Sequence, residues 1–218
     1  MSGELHIELA TSRDVPPLAV LHRACLPDSM ISMLGPAAVA RYYDLVTTSA
    51  SEHVFVARAR GMNRQDTEDA KPRGGGEDDV AVAAGCVLTL EPHTVLRRFA
   101  RAAPLRLAAD LARQTIGAAF RRRLLARVRD GSAVAVPSVP EVTQIFTDAS
   151  LRGKGHGRAL LRACEDKLRD LGQLTYCIHT LRDDNDAGIR FYRREGFTQT
   201  GTSRSFGDDY LVMTKGLS

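Results

Sequence analysis

The stretch SLRGKGHGRALL, residues 150–161, places three glycines within five positions, between a strand-like segment and a helix-like one. Free N–H groups at the start of a helix bind anions, and glycine lets the backbone approach a phosphate closely. Arg152 and Lys154 add positive charge beside the turn. These features predict a binding loop for a phosphate-containing ligand. The alternative is a tight strand-to-helix connection that binds nothing.

The spacing of the glycines excludes two common phosphate loops. A P-loop requires Lys and then Ser or Thr directly after its last glycine, whereas Arg158 and Ala159 follow Gly157 here. A dinucleotide loop requires GxGxxG with an acidic residue about 20 positions on. The glycines here follow the pattern GxGxG, and no acidic residue ends a second strand at that distance. The pattern that fits is Arg-x-x-Gly-x-Gly, formed by Arg152, Gly155 and Gly157.

A second motif, NDAGIRFYRREGF, follows at residues 185–197. In this order, and with a strand before each, the two motifs resemble the acetyl-coenzyme A signature of the GNAT N-acetyltransferase superfamily. The resemblance covers residues 141–197 well and the flanking segments more loosely. Two positions depart from the family pattern: Ala149 stands where a proline is common, and Gly188 replaces the usual alanine. Neither change touches a group expected to contact the cofactor.

The resemblance implies direct transfer of an acyl group from a coenzyme A thioester to an amine, without a covalent enzyme intermediate. It implies that the backbone N–H groups of residues 151–157 and the Arg152 side chain hold the pyrophosphate. The pantetheine arm would lie beside the strand at 141–148 like an added strand, and a splay from the strand at 174–181 would admit the thioester. A backbone N–H near Phe146 or Thr147 would polarise its carbonyl. No metal is expected, and the cofactor-binding residues implied are Phe146, Thr147, Arg152, Gly153, Lys154, Gly155, His156, Gly157, Arg158, Asn185 and Tyr192.

Tyr192 and Glu141 are the catalytic residues that the resemblance implies. Tyr192 occupies the position of the family's usual acid, and because thiols have a pKa of about 8.5 and tyrosines about 10, protonation of the departing thiolate is nearly balanced. The alternative is a core tyrosine with a hydrogen bond nearby. Glu141 opens the strand that carries the base in several relatives, and would act directly or through water. Asp148, which could instead cap the glycine turn, and His179, which could be a satisfied core residue, are the other candidates.

The sequence leaves two roles open for Asn185. It could cap the helix that follows, or it could touch the cofactor arm or order a water molecule, as its family position allows.

The elements that would position these residues are predicted from hydrophobic periodicity and from capping residues. Their order is a strand, two helices, two strands, an insertion, then strand, helix, strand, helix and a final hairpin. Together with this order, the resemblance implies a single GNAT-type domain over residues 1–218 in the α/β (α+β) class. Its mixed central sheet would be splayed between strands 4 and 5 and flanked by helices.

Two segments interrupt this order. Residues 61–79 are polar and glycine-rich and predict a flexible hairpin loop. Residues 92–140 form a basic insertion between strands 3 and 4, with ten arginines between Arg97 and Arg129. Its apolar residues recur at helical spacing, at Ile116, Phe120, Leu124 and Val128. The insertion could be a solvated helical hairpin, a platform for an anionic membrane or carrier, or a dimer contact or substrate lid. Nucleic acid is not expected as its partner, because aromatic residues are not interleaved with the basic ones.

Composition sets the remaining limits. The chain has 218 residues, a formal net charge of +4, 44% hydrophobic and 26% charged residues, which argues against a mainly disordered or fibrous protein. The four cysteines form no CxxC pair, so free thiols in a reducing compartment are expected. The first residues do not resemble a signal peptide, and no apolar run approaches the roughly 18 residues of a membrane span. These features predict a soluble cytoplasmic protein.

The most favoured activity is N-acetylation, by acetyl-CoA, of a primary amine on a small molecule. The phrase LPDS…LGP…RYY in residues 26–43 is similar to a GNAT subgroup associated with surface polysaccharides or amino sugars, which makes an amino sugar one candidate acceptor. The alternatives are a longer acyl donor used at a membrane or on a carrier protein, and a non-catalytic module that binds coenzyme A. A homodimer is compatible with each.

Overall fold

The computed structural model describes residues 6–60, 80–114, 139–183, 185–205 and 207–217. The predicted loop at 61–79 and the later part of the insertion, with its predicted apolar stripe, lie outside the described residues. Within them the strands are β1 (His6–Leu9), β2 (Glu52–Arg60), β3 (Val80–Thr89), β4 (Glu141–Thr147), β5 (Thr175–Leu181), β6 (Thr198–Ser205) and β7 (Asp208–Gly216). The helices are α1 (Val15–Cys25), α2 (Met30–Met33), α3 (Pro36–Thr47), α4 (Pro92–Ala102), α5 (Pro104–Gln114), α6 (His156–Asp170) and α7 (Asp186–Arg194).

The strands form one mixed sheet in the order β1-β2-β3-β4-β5-β7-β6. Neighbours are antiparallel except β4 and β5, which run parallel and pair only at Glu141 with Cys177 and at Val142 with Ile178. Beyond those two pairs β4 and β5 do not pair with each other, although β4 continues to Thr147 and β5 to Leu181. The predicted splay between strands 4 and 5 is therefore confirmed, as is the mixed sheet flanked by helices.

Two hydrophobic layers cover the sheet. On one face, β-strand residues such as Val142 and Ile178 pack with Leu160 and Leu161 of α6 and Ile189 of α7. On the other face, residues of β2 to β4 pack with α1, α3 and α4 in a second cluster that includes Val54, Val87, Phe146, Leu18, Tyr43 and Phe99. We call these the α6–α7 face and the α1–α3 face. Both sides of the sheet are buried, as expected for an α/β protein.

A register shift in β4 decides which of its side chains reach each face. Val142 lies opposite Leu88 and Gln144 lies opposite Val87, so Thr143 is an extra residue between them. Such a bulge bends a strand and re-aims the side chains beyond it. Gln144 and Phe146 consequently face the α1–α3 side, although Val142 faces the α6–α7 side.

Phe146 lies over a glycine. A Cβ added at Gly85 of β3 would come within 2.7 Å of the Phe146 ring and 2.8 Å of Leu18 on α1. Both contacts are far closer than carbon atoms tolerate, so the missing side chain is what lets Phe146 and α1 approach the sheet.

The described part of the arginine-rich insertion is helical, as predicted, and packs against the domain. Val95 and Phe99 of α4 are buried in the core of the α1–α3 face. Arg98 of α4 pairs with the buried Glu52 of β2, and Asp110 of α5 pairs with Arg41 of α3. A fully solvated hairpin would bury neither the apolar side chains Val95 and Phe99 nor the ion-paired carboxylate of Asp110. No helix among the described residues has the length and apolar character needed to span a membrane.

Candidate active site

The glycine turn begins where β4 ends. The Asp148 side chain accepts hydrogen bonds from the Ser150 N–H (2.9 Å) and hydroxyl (2.6 Å), and a short 3-10 turn, Ala149–Leu151, follows. Asp148 therefore caps the turn, which was the structural alternative to a role as base. Gly153 and Gly155 then adopt φ values of +77° and +87°, a conformation that L side chains rarely take. A Cβ at either glycine would meet nothing within 4 Å, so open space lies over the turn.

The start of α6 leaves backbone donors unused. Ala159 donates to the Gly155 carbonyl at 3.0 Å, and the N–H groups of Gly157 and Arg158 precede that bond, so they have no acceptor inside the helix. The Leu151 N–H, by contrast, donates to the Asp148 carbonyl at 2.9 Å. The Arg152 N–H likewise donates to the Ala149 carbonyl, at 3.5 Å, so the available donors begin after Arg152. Their direction, with the helix dipole behind them, suits an anion.

The side chains of the turn divide into two groups. Arg152 and Lys154 are exposed, and Arg152 Nε reaches the Thr147 carbonyl at 3.4 Å. Arg158 instead donates to the buried Glu195 at 2.8 Å, which ties α6 to the end of α7. His156 is buried, and that burial, with Lys154 nearby, lowers the pKa of its imidazole. Arg152 and Lys154 are thus the exposed cations of the turn, while the Arg158 side chain is paired with Glu195 and His156 is buried.

Tyr192 lies on the α6–α7 face. Its partly buried ring packs against Phe191 and Phe197, with centroids 5.2 and 5.5 Å apart. The hydroxyl makes no hydrogen bond to another described residue, unlike the hydrogen-bonded core tyrosine of the alternative prediction. Burial, and then the nearby Cys86, raise the pKa of Tyr192. The side chain therefore carries its proton at neutral pH and can donate it.

Glu141 lies on the opposite face of the sheet, beside His179. Glu141 is directly opposite Thr89, two residues from Val87, so it faces the α1–α3 side. Its Oε1 is 2.9 Å from His179 Nδ1. The Cys177 thiol lies within 4.8 Å of both groups, and burial, followed by the Glu141 charge, raises the pKa of Cys177 to about 12. Sequence reasoning considered Glu141 and His179 as separate candidates; the structure brings them together.

Asn185 precedes α7 at the N-cap position, but its side chain makes no capping hydrogen bond. The prediction that its side chain caps the helix is therefore wrong. Its Nδ2 instead donates to Thr180 Oγ1 of β5 at 2.7 Å. A Cβ added at Gly188 would lie 2.5 Å from Asn185 Oδ1, so the glycine that departs from the family pattern makes room for this conformation.

A buried network of hydrogen-bonded side chains on the α1–α3 face was not predicted from the sequence. His22 of α1 contacts Tyr43 Oη through Nδ1 (2.9 Å) and Ser29 Oγ through Nε2 (2.8 Å), and the Tyr43 hydroxyl donates to Gln144 Oε1 of β4 (2.9 Å). Burial, only partly offset by Gln144, lowers the pKa of His22 to about 4, so the ring is neutral at pH 7. The only signal in the sequence was a histidine on the apolar side of a helix, which does not reveal its partners.

Comparisons with known proteins agree with this geometry. The Acetyltransferase (GNAT) family model matches residues 77–197. A search of curated proteins found no match. Among solved structures, the GCN5-related N-acetyltransferase of Kribbella flavida aligns with a TM-score of 0.57 at 14% identity, over 98% of each chain.

Two further solved structures show the same fold. The ribosomal-protein-S18-alanine N-acetyltransferase of Escherichia coli aligns with a TM-score of 0.56 at 14% identity, over 99% of this chain and 95% of that one. The PaiA N-acetyltransferase of Thermoplasma acidophilum, solved in complex with coenzyme A, aligns with a TM-score of 0.56 at 12% identity, over 98% and 99%. The family match covers more than half of the chain and contains the glycine turn and the motif around Tyr192. The chain therefore belongs to the GNAT family of acetyl-CoA-dependent acetyltransferases.

Proposed function

We propose that this protein transfers the acetyl group of acetyl-CoA directly to a primary amine of a small molecule, an amino sugar being one candidate acceptor. The observation that carries the proposal is the splay of β4 from β5, with the glycine turn at the end of the same strand. A thioester needs an opening in the sheet, and its pyrophosphate needs a nearby cluster of donors. Strand β4 borders the opening and ends at the glycine turn, so it connects the two features.

The donor site is built from the residues after Val142 in β4 and from the glycine turn. The β4 edge beyond Val142 pairs with no strand on the β5 side, so it can accept an extended arm by strand-like hydrogen bonding. Phe146 and Thr147 supply backbone groups along this edge, and Gly153 to Arg158 supply the N–H groups that bind the pyrophosphate. Arg152 and Lys154 add two charges at the surface.

The chemistry uses groups from both faces of the sheet. Acetyl-CoA supplies an acyl carbon activated by its thiol leaving group. Tyr192, on the α6–α7 face, donates a proton to the departing sulfur. The same burial that raises the pKa of the tyrosine also raises that of a thiol beside it, which keeps the transfer close to balance. Glu141, on the α1–α3 face, promotes removal of a proton from the acceptor ammonium.

The acceptor therefore approaches from the α1–α3 face, where α1, α3 and α4 surround the sheet. The carboxylate of Glu141 attracts a cation there. A primary ammonium is a cation that becomes a nucleophile on losing one proton, which fits both requirements.

The test is release of free thiol from acetyl-CoA in the presence of separate panels of polyamines, amino acids and amino sugars. We expect one panel to raise thiol release clearly above hydrolysis without amine. Uniform background rates across all three panels, from a protein that still binds acetyl-CoA, would contradict the proposal and favour a non-catalytic coenzyme A module.

A second candidate is transfer of a longer acyl chain at an anionic membrane or carrier. It is motivated by the exposed leucines Leu96 (59% exposed) and Leu105 (85% exposed), which lie among Arg97, Arg101 and Arg106. Apolar and basic side chains together favour an anionic interface. This candidate expects faster turnover with anionic vesicles and with longer acyl donors. Equal rates with and without vesicles, and a preference for acetyl, would exclude it.

A further inference from the structure

We infer that His179 and Glu141 form a base dyad, in which His179 Nε2 takes the proton from the acceptor ammonium and Glu141 is a positioning residue. This inference rests on the proposed transferase function and divides the roles at that site. The inference is based on the 2.9 Å contact between His179 Nδ1 and Glu141 Oε1 and on the location of this pair at the splay between β4 and β5.

The dyad lies where the sheet opens. Glu141 and Cys177 form one of the two β4–β5 pairs, and His179 is two residues further along β5, past the last paired residue, Ile178. Residues two apart on a strand share a face, so Cys177 and His179 point to the α1–α3 side with Glu141. His179 is thus among the first β5 residues bordering the gap, on the face from which we propose that the acceptor approaches.

The hydrogen bond assigns the proton on the imidazole. A carboxylate only accepts hydrogen bonds, so in the neutral imidazole Nδ1 carries the hydrogen and Nε2 keeps a lone pair. Nε2 is buried and has no partner among the described residues. An unsatisfied buried acceptor costs free energy, and a substrate N–H donor would relieve that cost.

The same face carries further unsatisfied polar atoms in line with the dyad. Register places Glu52, Thr89, Glu141 and Cys177 opposite one another on β2, β3, β4 and β5. Glu52 Oε2 and Thr89 Oγ1 in this row are buried and, like His179 Nε2, lack a partner among the residues described. Buried polar atoms are normally satisfied, so this row indicates a place for a polar ligand rather than an apolar one.

The proton balance is simple. The ammonium N–H bond breaks, its electron pair stays on nitrogen as the nucleophilic lone pair, and the proton bonds to Nε2. The resulting imidazolium is stabilised by the Glu141 carboxylate at Nδ1. In general an imidazole is a stronger base than a carboxylate, which suits it to accepting a proton from an ammonium group.

A metal site formed by Glu141, Cys177 and His179 is a competing use of the same cluster, whose donor atoms lie within 4.8 Å of one another. Coordination through Nδ1 would leave a buried Nε2–H without the outer partner that metal-bound histidines normally have. The free Nε2 therefore favours the dyad.

The test compares H179A with C177A, using the panel amine that the wild type acetylates fastest. We expect H179A to lower kcat on the order of 100-fold, with the acetyl-CoA affinity unchanged, because a general base is lost while the donor site stays intact. Added imidazole should restore part of the turnover of H179A by filling the space left by the ring. C177A, on the same strand and face, should retain turnover and should not respond to imidazole.

Each other outcome overturns the inference in a recognisable way. Wild-type turnover in H179A, or a loss that imidazole does not relieve, contradicts the base role of His179. Two results together indicate the metal site. Turnover falls equally in H179A and C177A, and wild-type turnover falls on chelation and returns when zinc is added. A wild type that binds acetyl-CoA and acetylates no amine contradicts the proposed function itself. Independently, nitrogen NMR should show the Nδ1–H tautomer of His179 in the wild type, and an Nε2–H tautomer would contradict the dyad.

Discussion

Tyr192 combines a packed ring with a hydroxyl that no described side chain binds. A tyrosine buried for structural reasons alone normally pairs its hydroxyl. Tyr176 is the contrasting case in this chain, since its hydroxyl donates to Glu165 at 2.9 Å. The two residues therefore make a matched pair for separating catalysis from packing.

Replacing Tyr192 by Phe should lower kcat by about 100-fold or more, because general acid catalysis contributes on this scale. The acetyl-CoA affinity should change little, since the ring and its contacts remain. Steady-state thiol release and calorimetric titration measure the two quantities. Y176F is the control: it should lose stability but keep its kcat. Full turnover in Y192F would remove Tyr192 from the mechanism and favour a non-catalytic module.

At the scale of single residues, the sequence predicted the location of the glycine turn but not the side-chain contacts between elements. The glycine turn and Tyr192 were placed by motif. The pairing of Arg158 with Glu195, the turn of Asn185 toward Thr180, and the contact of His179 with Glu141 each join residues from different elements. Such contacts follow from tertiary packing, which spacing along the chain does not encode.

At the scale of elements, the two ends of α6 offer a controlled comparison. Gly155 and Gly172 both have positive φ (+87° and +68°), and a Cβ at either would meet nothing within 4 Å. Alanine at each position should cost stability by about 1 kcal/mol through backbone strain. Only G155A should also weaken acetyl-CoA binding, because only Gly155 lies at the proposed pyrophosphate site. Calorimetric titration of both variants with acetyl-CoA checks this, and equal affinities in the two would contradict that location.

The packing of α1 on β3 and β4 depends on Gly85. G85A should destabilise the fold by about 1–3 kcal/mol, the usual cost of overpacking, since its Cβ would collide with Phe146 and Leu18. G201A is the control, because a Cβ there would lie at an ordinary 3.8 Å from Val212. Urea unfolding of both variants measures the difference. Equal stabilities would show that the Phe146 ring moves aside freely.

The order of the elements was predictable except for the short helix α2, Met30–Met33, but the register within the sheet was not. Alternating apolar residues and capping residues identified β4, α6, β5 and α7. The extra residue Thr143 left no comparable signal, although it turns Gln144 and Phe146 toward the α1–α3 face. A bulge depends on how two strands pair, and one strand's sequence does not specify it.

At the scale of the whole molecule, buried polar contacts join the helical layer to the sheet. His22, Tyr43 and Gln144 connect α1, α3 and β4, while Arg98 and Glu52 connect the insertion to β2. The first set contains a neutral buried histidine, which makes the stability of the domain depend on pH.

That dependence has a definite sign. Burial lowers the pKa of His22 from 6.5 to about 4, so between these values the unfolded chain binds more protons than the folded chain. The free energy of unfolding should therefore fall as the pH drops from about 6.5 to about 4, by up to about 3 kcal/mol from this residue. H22Q should show a smaller fall over this window in urea unfolding. His53 and His156, whose pKa values are also lowered by burial, contribute in both proteins. Identical pH dependence in H22Q and the wild type would contradict the neutral, buried state of His22.

The central claim is acetyl transfer from coenzyme A to an amine, and the most direct measurement follows the acetyl group itself. Isotopically labelled acetyl-CoA would be incubated with the protein and each amine panel, and the products analysed by mass spectrometry, with Y192F in parallel. We predict that the label appears as an amide on one class of amine with the wild type and is strongly reduced with Y192F. Labelled acetate alone, or label that never leaves bound acetyl-CoA, would contradict it.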